Sequence, residues 1–206
     1  MDEITANFGI DVPPSCDVPT ETIEGAQGLI VIEKDGLRLL KSAPWGFPRQ
    51  TREMRQNGEP HSRIGLVADL TNPLWDRTVV DPRYRCLIPM TGFAEAEGVK
   101  GSMTRTWFSV KGEPVFAWGG LWRVSDEWSS VYSGAMTNAN EAVAPVHDRM
   151  PVLLHADEYD LWLHGSLGDL LALQERKYPA ASMLMERTND LWVKKKSTGT
   201  EEPALL

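Results

Sequence analysis

The sequence is poor in the residues that build cross-links and metal centres: 206 residues contain two cysteines and four histidines. Cys16 and Cys86 lie far apart and outside any CxxC pattern, so neither a disulfide framework nor a zinc ribbon is expected. His147, His155 and His164 are too widely spaced for a compact metal motif such as HExxH, and no metal or other cofactor is expected. No apolar run approaches the roughly 18 residues of a membrane span, and Met1-Asp2-Glu3 lacks the basic-then-apolar start of a secretory signal. A membrane is thus not among the expected partners, and the expected location is cytoplasmic. Cations are also in deficit, with 21 Lys and Arg against 29 Asp and Glu for a net charge of -8. Non-specific coating of nucleic acid comes from cations neutralising phosphates, so that mode is disfavoured and only a local basic groove would serve.

What is present suits a packed core. Hydrophobic residues make up 42% and charged residues 24%, near the globular norms of about 45 to 50% and about 25%. No low-complexity linker divides the chain, which predicts one domain over residues 1–193 and a flexible C-terminal tail over 194–206, where "KKKSTGTEEPALL" has little to bury. "DEITANF" predicts a short helix stopped at Gly9, and the prolines of "DVPPSCDVP" predict a loop. "GLIVIEKDGLRLLK" reads as a hairpin, because Asp35-Gly36 tolerates the positive φ of a tight turn; "SAPWGFPRQ" then breaks the pattern. "RCLIPMTGF", "WSSVYSGAM" and "MPVLL" supply further strands, "SMLME" a last one, and "TWFSVKGEPVFAWGGLW" a second hairpin around residues 111–114. Helices are predicted in "ADEYDLWLHG", with Tyr159, Trp162 and Leu163 on one face, and in "SLGDLLALQER", where Ser166 and Asp169 have capping-box spacing. The fold class follows: α+β, with a curled, largely antiparallel, barrel-like β-sheet core and a few peripheral helices.

Three places could carry chemistry. His147 sits between Pro145 and Pro151, whose restricted φ presents the imidazole on a stiff loop, although a lone histidine is more often structural than catalytic. Glu95 follows an apolar strand and Gly92, where the chain leaves the sheet, and shares a face with Glu97 if the strand persists; a solvated carboxylate pair is the simpler reading. Trp45 and Phe47 beside Arg49 combine stacking faces with a cation, a combination that holds single-stranded bases, whereas burial in the core is the ordinary fate of a tryptophan. Arg49, Arg52, Arg55 and Arg63 concentrate positive charge before and after His61, in what composition alone reads as a solvated loop.

In order and spacing, "WGF", "NPLW", "DPRYRCLIPMTGFAE", "FAWGGLW", "APVHDRMPVLL" and "EYDLWL" resemble the SOS response-associated peptidase family, the abasic-site sensors of single-stranded DNA. The resemblance runs from about residue 29 to about residue 186. It implies a DNA-damage function with single-stranded DNA carrying abasic sites as the partner, no obligate protein partner, and a monomer. In that family an N-terminal cysteine captures the sugar aldehyde: its α-amine, with a pKa of about 7.7 to 8.0, forms a Schiff base that the thiol closes into a thiazolidine. The cysteine is exposed by removal of the first methionine. The resemblance assigns Glu95 as the glutamate that moves protons during sugar-ring opening and methionine removal, and His147 as the histidine assisting it. It places Trp45 and Arg49 on the DNA-facing side and Arg149 near enough to bind phosphate or orient the site.

The sequence also departs from the family pattern. Residue 2 is Asp2, and Cys16 cannot replace the missing cysteine because its nitrogen is an amide. The Asn-x-Arg motif that holds sugar and phosphate falls on Leu66-Val67-Ala68, and Ala96 stands where a tryptophan is usual. Two explanations stay open: a true start upstream at a Met-Cys, or a divergent branch that has lost covalent capture. They leave three functional expectations, namely abasic-site chemistry given an upstream cysteine, a non-catalytic DNA-binding module, or a hydrolase of small substrates or peptides using Glu95 and His147.

Overall fold

The computed structural model describes residues 2–11 and 17–193, so Cys16, most of the expected proline-rich loop and the expected tail lie outside the described residues. The chain opens on helix α1 (Asp2–Phe8), which ends where Gly9 takes φ 59°; Ile4 and Phe8 are buried, and the Phe8 ring stacks on Tyr159 at 5.2 Å. Strands β1 (Gln27–Lys34) and β2 (Leu37–Pro44) pair antiparallel from Gln27↔Pro44 to Lys34↔Leu37. Asp35 and Gly36, at φ 54° and 75°, form the two-residue turn that matches strand twist. The pairing does not break at Ser42 as the sequence suggested. β2 runs through Pro44, at the end of the ladder, and Trp45 bridges to Tyr132.

A ribbon of β3 (Phe47–Arg49) and β4 (Ser62–Ile64) follows, enclosing the short helix α2 (Arg52–Gln56), whose first turn is capped by Thr51 Oγ1 accepting from the Met54 amide at 3.1 Å. Next come β5 (Leu66–Val67), α3 (Asp76–Val79), β6 (Arg85–Met90), β7 (Phe93–Glu97), β8 (Thr104–Val110), β9 (Phe116–Ser125) and β10 (Ser129–Asn138). The chain closes with β11 (Arg149–Pro151), β12 (Leu153–Leu154), α4 (Tyr159–His164), α5 (Leu167–Glu175) and β13 (Met183–Leu191). Ser166 and Asp169 form the anticipated capping box on α5.

The large sheet has the order β11-β10-β9-β6-β1-β2, with β12 added on β9 and β5 on β10. All its pairings are antiparallel except β5 on β10. A second sheet, β13-β8-β7, leaves β7 at an edge. The class is therefore α+β with a largely antiparallel sheet system, and the large sheet is not closed into a barrel.

The second hairpin expected from sequence does not form. β8 joins β7 and β13, β9 joins β6 and β10, and only the bridge Val110↔Glu113 links the arms. Phe108, Val110 and Phe116 instead pack into one cluster with Val143, Met150 and Tyr178. The gain from burying that apolar surface is non-directional and outweighs a local ladder.

Arg85, 2% exposed, is the largest buried charge. Its guanidinium donates to the Val79 carbonyl at 3.0 Å and to the Gly165 carbonyl at 2.6 Å, tying the ends of α3 and α4 to β6. Cations are favoured at helix C-termini, where carbonyls lack partners. Arg85→Met, which keeps the stem and removes the donors, is expected to lower unfolding stability by about 2 to 4 kcal/mol in urea titration. A loss below about 0.5 kcal/mol would show that water satisfies those carbonyls.

Candidate functional site

Between the two sheets lies a cavity of about 540 Å³. β7 contributes Glu95, and the β6–β7 turn contributes Thr91 and Gly92. On β8, alternation turns Arg105 and Trp107 to the cavity while Thr106 and Phe108 are buried on the other face. The far wall holds Trp118 of β9 and Tyr132 and Met136 of β10. Residues 18–24 run along the mouth, where Glu21 pairs with Arg105, and Trp192 completes it.

The tryptophan rings are held by their own donors. Trp45 Nε1 donates to the Gly65 carbonyl at 2.7 Å and Trp118 Nε1 to the Ala135 carbonyl at 2.6 Å. The two rings meet edge to face at 5.7 Å.

The carboxylates of β7 share a strand but not an environment. Glu97 accepts from Thr106 Oγ1 at 2.5 Å and from Arg187 Nε at 2.9 Å, which holds its carboxyl below the usual range. Glu95 makes no such bonds among the described residues, and burial pushes its pKa up. The charge of nearby His147 opposes that rise and that of Asp148 adds to it. A carboxyl held protonated at higher pH than its neighbour is suited to give up a proton in a reaction.

His147 is reached electrostatically by Glu95 but does not line the cavity, and its side chain is 43% exposed. Its Nδ1 accepts from the Arg149 amide at 3.1 Å, which leaves Nε2 to carry the proton of the neutral ring. The loop bearing it owes its shape to a residue the sequence reading passed over. Asn140, fully buried, accepts from the amides of Ala142 and Val143 at 3.1 Å and donates to the Tyr178 carbonyl at 2.8 Å.

Trp45 thus shares one cavity lining with Glu95, on which the charge of His147 acts from outside that lining, while Arg49 and Arg149 lie off it. Arg49 ends β3, exposed, and does not line the cavity. Arg149 lines a separate cleft of about 290 Å³ with Asp69, Asn138 and Gln174. Its Nη2 donates to the carbonyls of Ala68 at 2.6 Å and Met136 at 3.1 Å, joining the chain after β5 to β10. Of the other clustered arginines, Arg63 lies 3.7 Å over the Trp128 ring.

The family model of the SOS response associated peptidase (SRAP) matches residues 5–191. This chain belongs to that family. Abasic site processing protein YoaM of Bacillus subtilis (strain 168) is 27% identical over 176 residues, covering 80% of this chain and 75% of that protein. Among solved structures, a protein from Bordetella bronchiseptica superposes with TM-score 0.75 at 20% identity, covering 91% of this chain and 94% of its own. One from Bacteroides thetaiotaomicron gives 0.65 at 19%, covering 79% and 74%. These two likenesses establish the fold.

No helix among the described residues of this SRAP member is long and apolar enough to cross a membrane, and no group of three or more His, Cys, Asp or Glu among them could hold a metal ion. Sequence reasoning missed Trp107, Tyr132 and Arg105. Their alternation was readable, but which face met a cavity depended on β8 and β9 parting into different sheets.

The raised Glu95 pKa has a stability consequence. In the folded state Glu95 holds its proton to higher pH than in the unfolded chain, whose value is near 4.5. Its contribution is therefore fully present below pH 4.5 and is lost as pH rises through the elevated folded value. Glu95→Gln, which cannot ionise, is expected to unfold at higher temperature than the parent at pH 8 and to lose that advantage at pH 4. A parental melting curve as insensitive to pH over this interval as the variant's would show that Glu95 titrates normally.

Proposed function

We propose that this protein binds single-stranded DNA at abasic sites and that Glu95, assisted by His147, moves protons as the sugar opens to its aldehyde. The observation that carries this reading is a half-buried glutamate with a raised pKa and no hydrogen bond to a described residue, at the lining of an aromatic cavity and within reach of the charge of a histidine. Membership of the SRAP family and relatedness to a protein named for abasic site processing support it. A protonated Glu95 can give its proton to the ring oxygen as the C1′–O4′ bond breaks. The carboxylate then takes the proton of the anomeric hydroxyl, so the acid is regenerated.

Covalent capture and self-removal of methionine require a Met-Cys start, whereas the sequence has Met1-Asp2. In a form beginning Met-Cys, the same glutamate and histidine would serve both steps. For the sequence with Asp2 the reading is non-covalent recognition. Leu66, 46% exposed on the cavity wall, favours that form, since the polar sugar clamp of the family pattern falls there.

The test compares single-stranded DNA with one abasic site against the intact strand, in native and denaturing gels, with and without a Met-Cys extension. Expected are a salt-sensitive native shift stronger for the abasic strand, and a heat-stable band with the extended form only. Absence of any native shift would sink the DNA reading.

A further inference from the structure

We infer that the inner end of the cavity is a chamber for the nucleobase that flanks the abasic position. The inference rests on the DNA reading above and adds a second recognition element to it. Its starting point is Tyr132, 2% exposed and lining the cavity, whose hydroxyl makes no hydrogen bond with any described residue. That hydroxyl lies over Gly28, where any Cβ would collide with it, and beside the Thr22 methyl. A hydroxyl on a cavity wall with no partner among the described residues is open to a ligand or to water. Burial pushes the phenol pKa up, so at neutral pH it remains a donor.

The surroundings select the ligand. Trp118 and Trp45 are locked by their indole bonds, and Trp107 offers a third ring. Arg105 is the only cation among the described lining residues; its Nη1 is paired with Glu21 while its Nε has no hydrogen-bond partner among the described residues, and Glu24 and Glu95 belong to the same lining. A phosphate entering this chamber would meet net negative charge and apolar walls. A neutral, planar group with a carbonyl acceptor meets stacking faces and a free donor. A volume of about 540 Å³ exceeds what a lone sugar needs and lies within the range of about 300 to 1,000 Å³ typical of ligand pockets. With the sugar at Glu95, as proposed above, the neighbouring base is the group of that chemistry nearest to hand.

The test uses the protein with its full sequence and two oligothymidylates, one with a single central abasic site between thymines and one whose single abasic site is bordered on both sides by three-carbon spacers, so that the second has no base next to the abasic sugar. Binding is measured by fluorescence anisotropy for the parent, Tyr132→Phe and Trp107→Ala. The parent is expected to bind the first strand more tightly than the second. Tyr132→Phe is expected to weaken the first about fivefold, the effect of one neutral hydrogen bond, and to leave the second unchanged. Trp107→Ala is expected to weaken the first about tenfold and the second little. Equal losses on both strands, or no loss on either, would overturn the base chamber while the DNA reading stands. Failure of the parent to bind either strand would overturn both.

Discussion

Glu95→Gln is expected to slow opening of a bound abasic sugar about 100-fold or more, with strand affinity nearly unchanged. The amide preserves shape in a cavity where the carboxyl makes no hydrogen bond to described residues, so what is lost is the proton. The rate is read by trapping the aldehyde with an alkoxyamine at concentrations where ring opening limits. His147→Ala is expected to cost less, about tenfold, because the ring is 43% exposed and does not line the cavity. It also removes the charge that lowers the Glu95 pKa, so the alkaline limb of the pH–rate profile, where the acid form of Glu95 is lost, should move to higher pH. Unchanged rates and profiles in both variants would strip the two residues of these roles.

Gly134→Ala is expected to be among the most damaging single changes in the molecule. A Cβ at position 134 would fall within the Trp118 indole. That ring is 5% exposed, with its nitrogen bonded to the Ala135 carbonyl, and it packs with Ile30, Cys86 and Met136. The ring could yield only toward the cavity and only by breaking that bond, so overpacking here is expected to cost about 3 kcal/mol in chemical denaturation. Any folded remainder would also lose strand affinity, since Trp118 is a wall of the cavity. Gly36→Ala makes a useful contrast: its Cβ would meet nothing within 4 Å, so only the strain of φ 75° is paid.

How much of this was legible depended on whether the governing interactions were local. The Asp35-Gly36 hairpin and the Ser166 capping box are decided by residues a few positions apart, and both formed as read. Lys111-Gly112-Glu113-Pro114 carries turn chemistry just as local, but a turn fixes a change of direction and not which partner a strand finds afterwards. The aromatic cluster across the gap sent β8 and β9 apart. Glu95 and His147 were singled out first by local context, the strand end after Gly92 and the prolines around His147, and then by motif order, but nothing in their spacing of 52 positions (147 − 95) marks them as neighbours. The Asp148 influence on Glu95 and the Asn140 bonds that shape the loop were invisible for the same reason. Arg149 shows the limit from the other side: a guanidinium promising for phosphate donates to two main-chain carbonyls.

The strand order has a consequence for how the protein is made. β1 and β2 zip together around two residues, yet the other side of β1 pairs with β6, which begins at Arg85, 51 positions after Lys34 (85 − 34). At translation speeds of about 5 to 20 residues per second, that side of the Leu29–Ile32 run waits roughly 3 to 10 s on the ribosome before its neighbour is synthesised. β6 in turn waits for β9. The nascent hairpin is thus a sticky half-sheet for seconds, and the moment of greatest hazard in the life of this molecule falls before its last hundred residues exist.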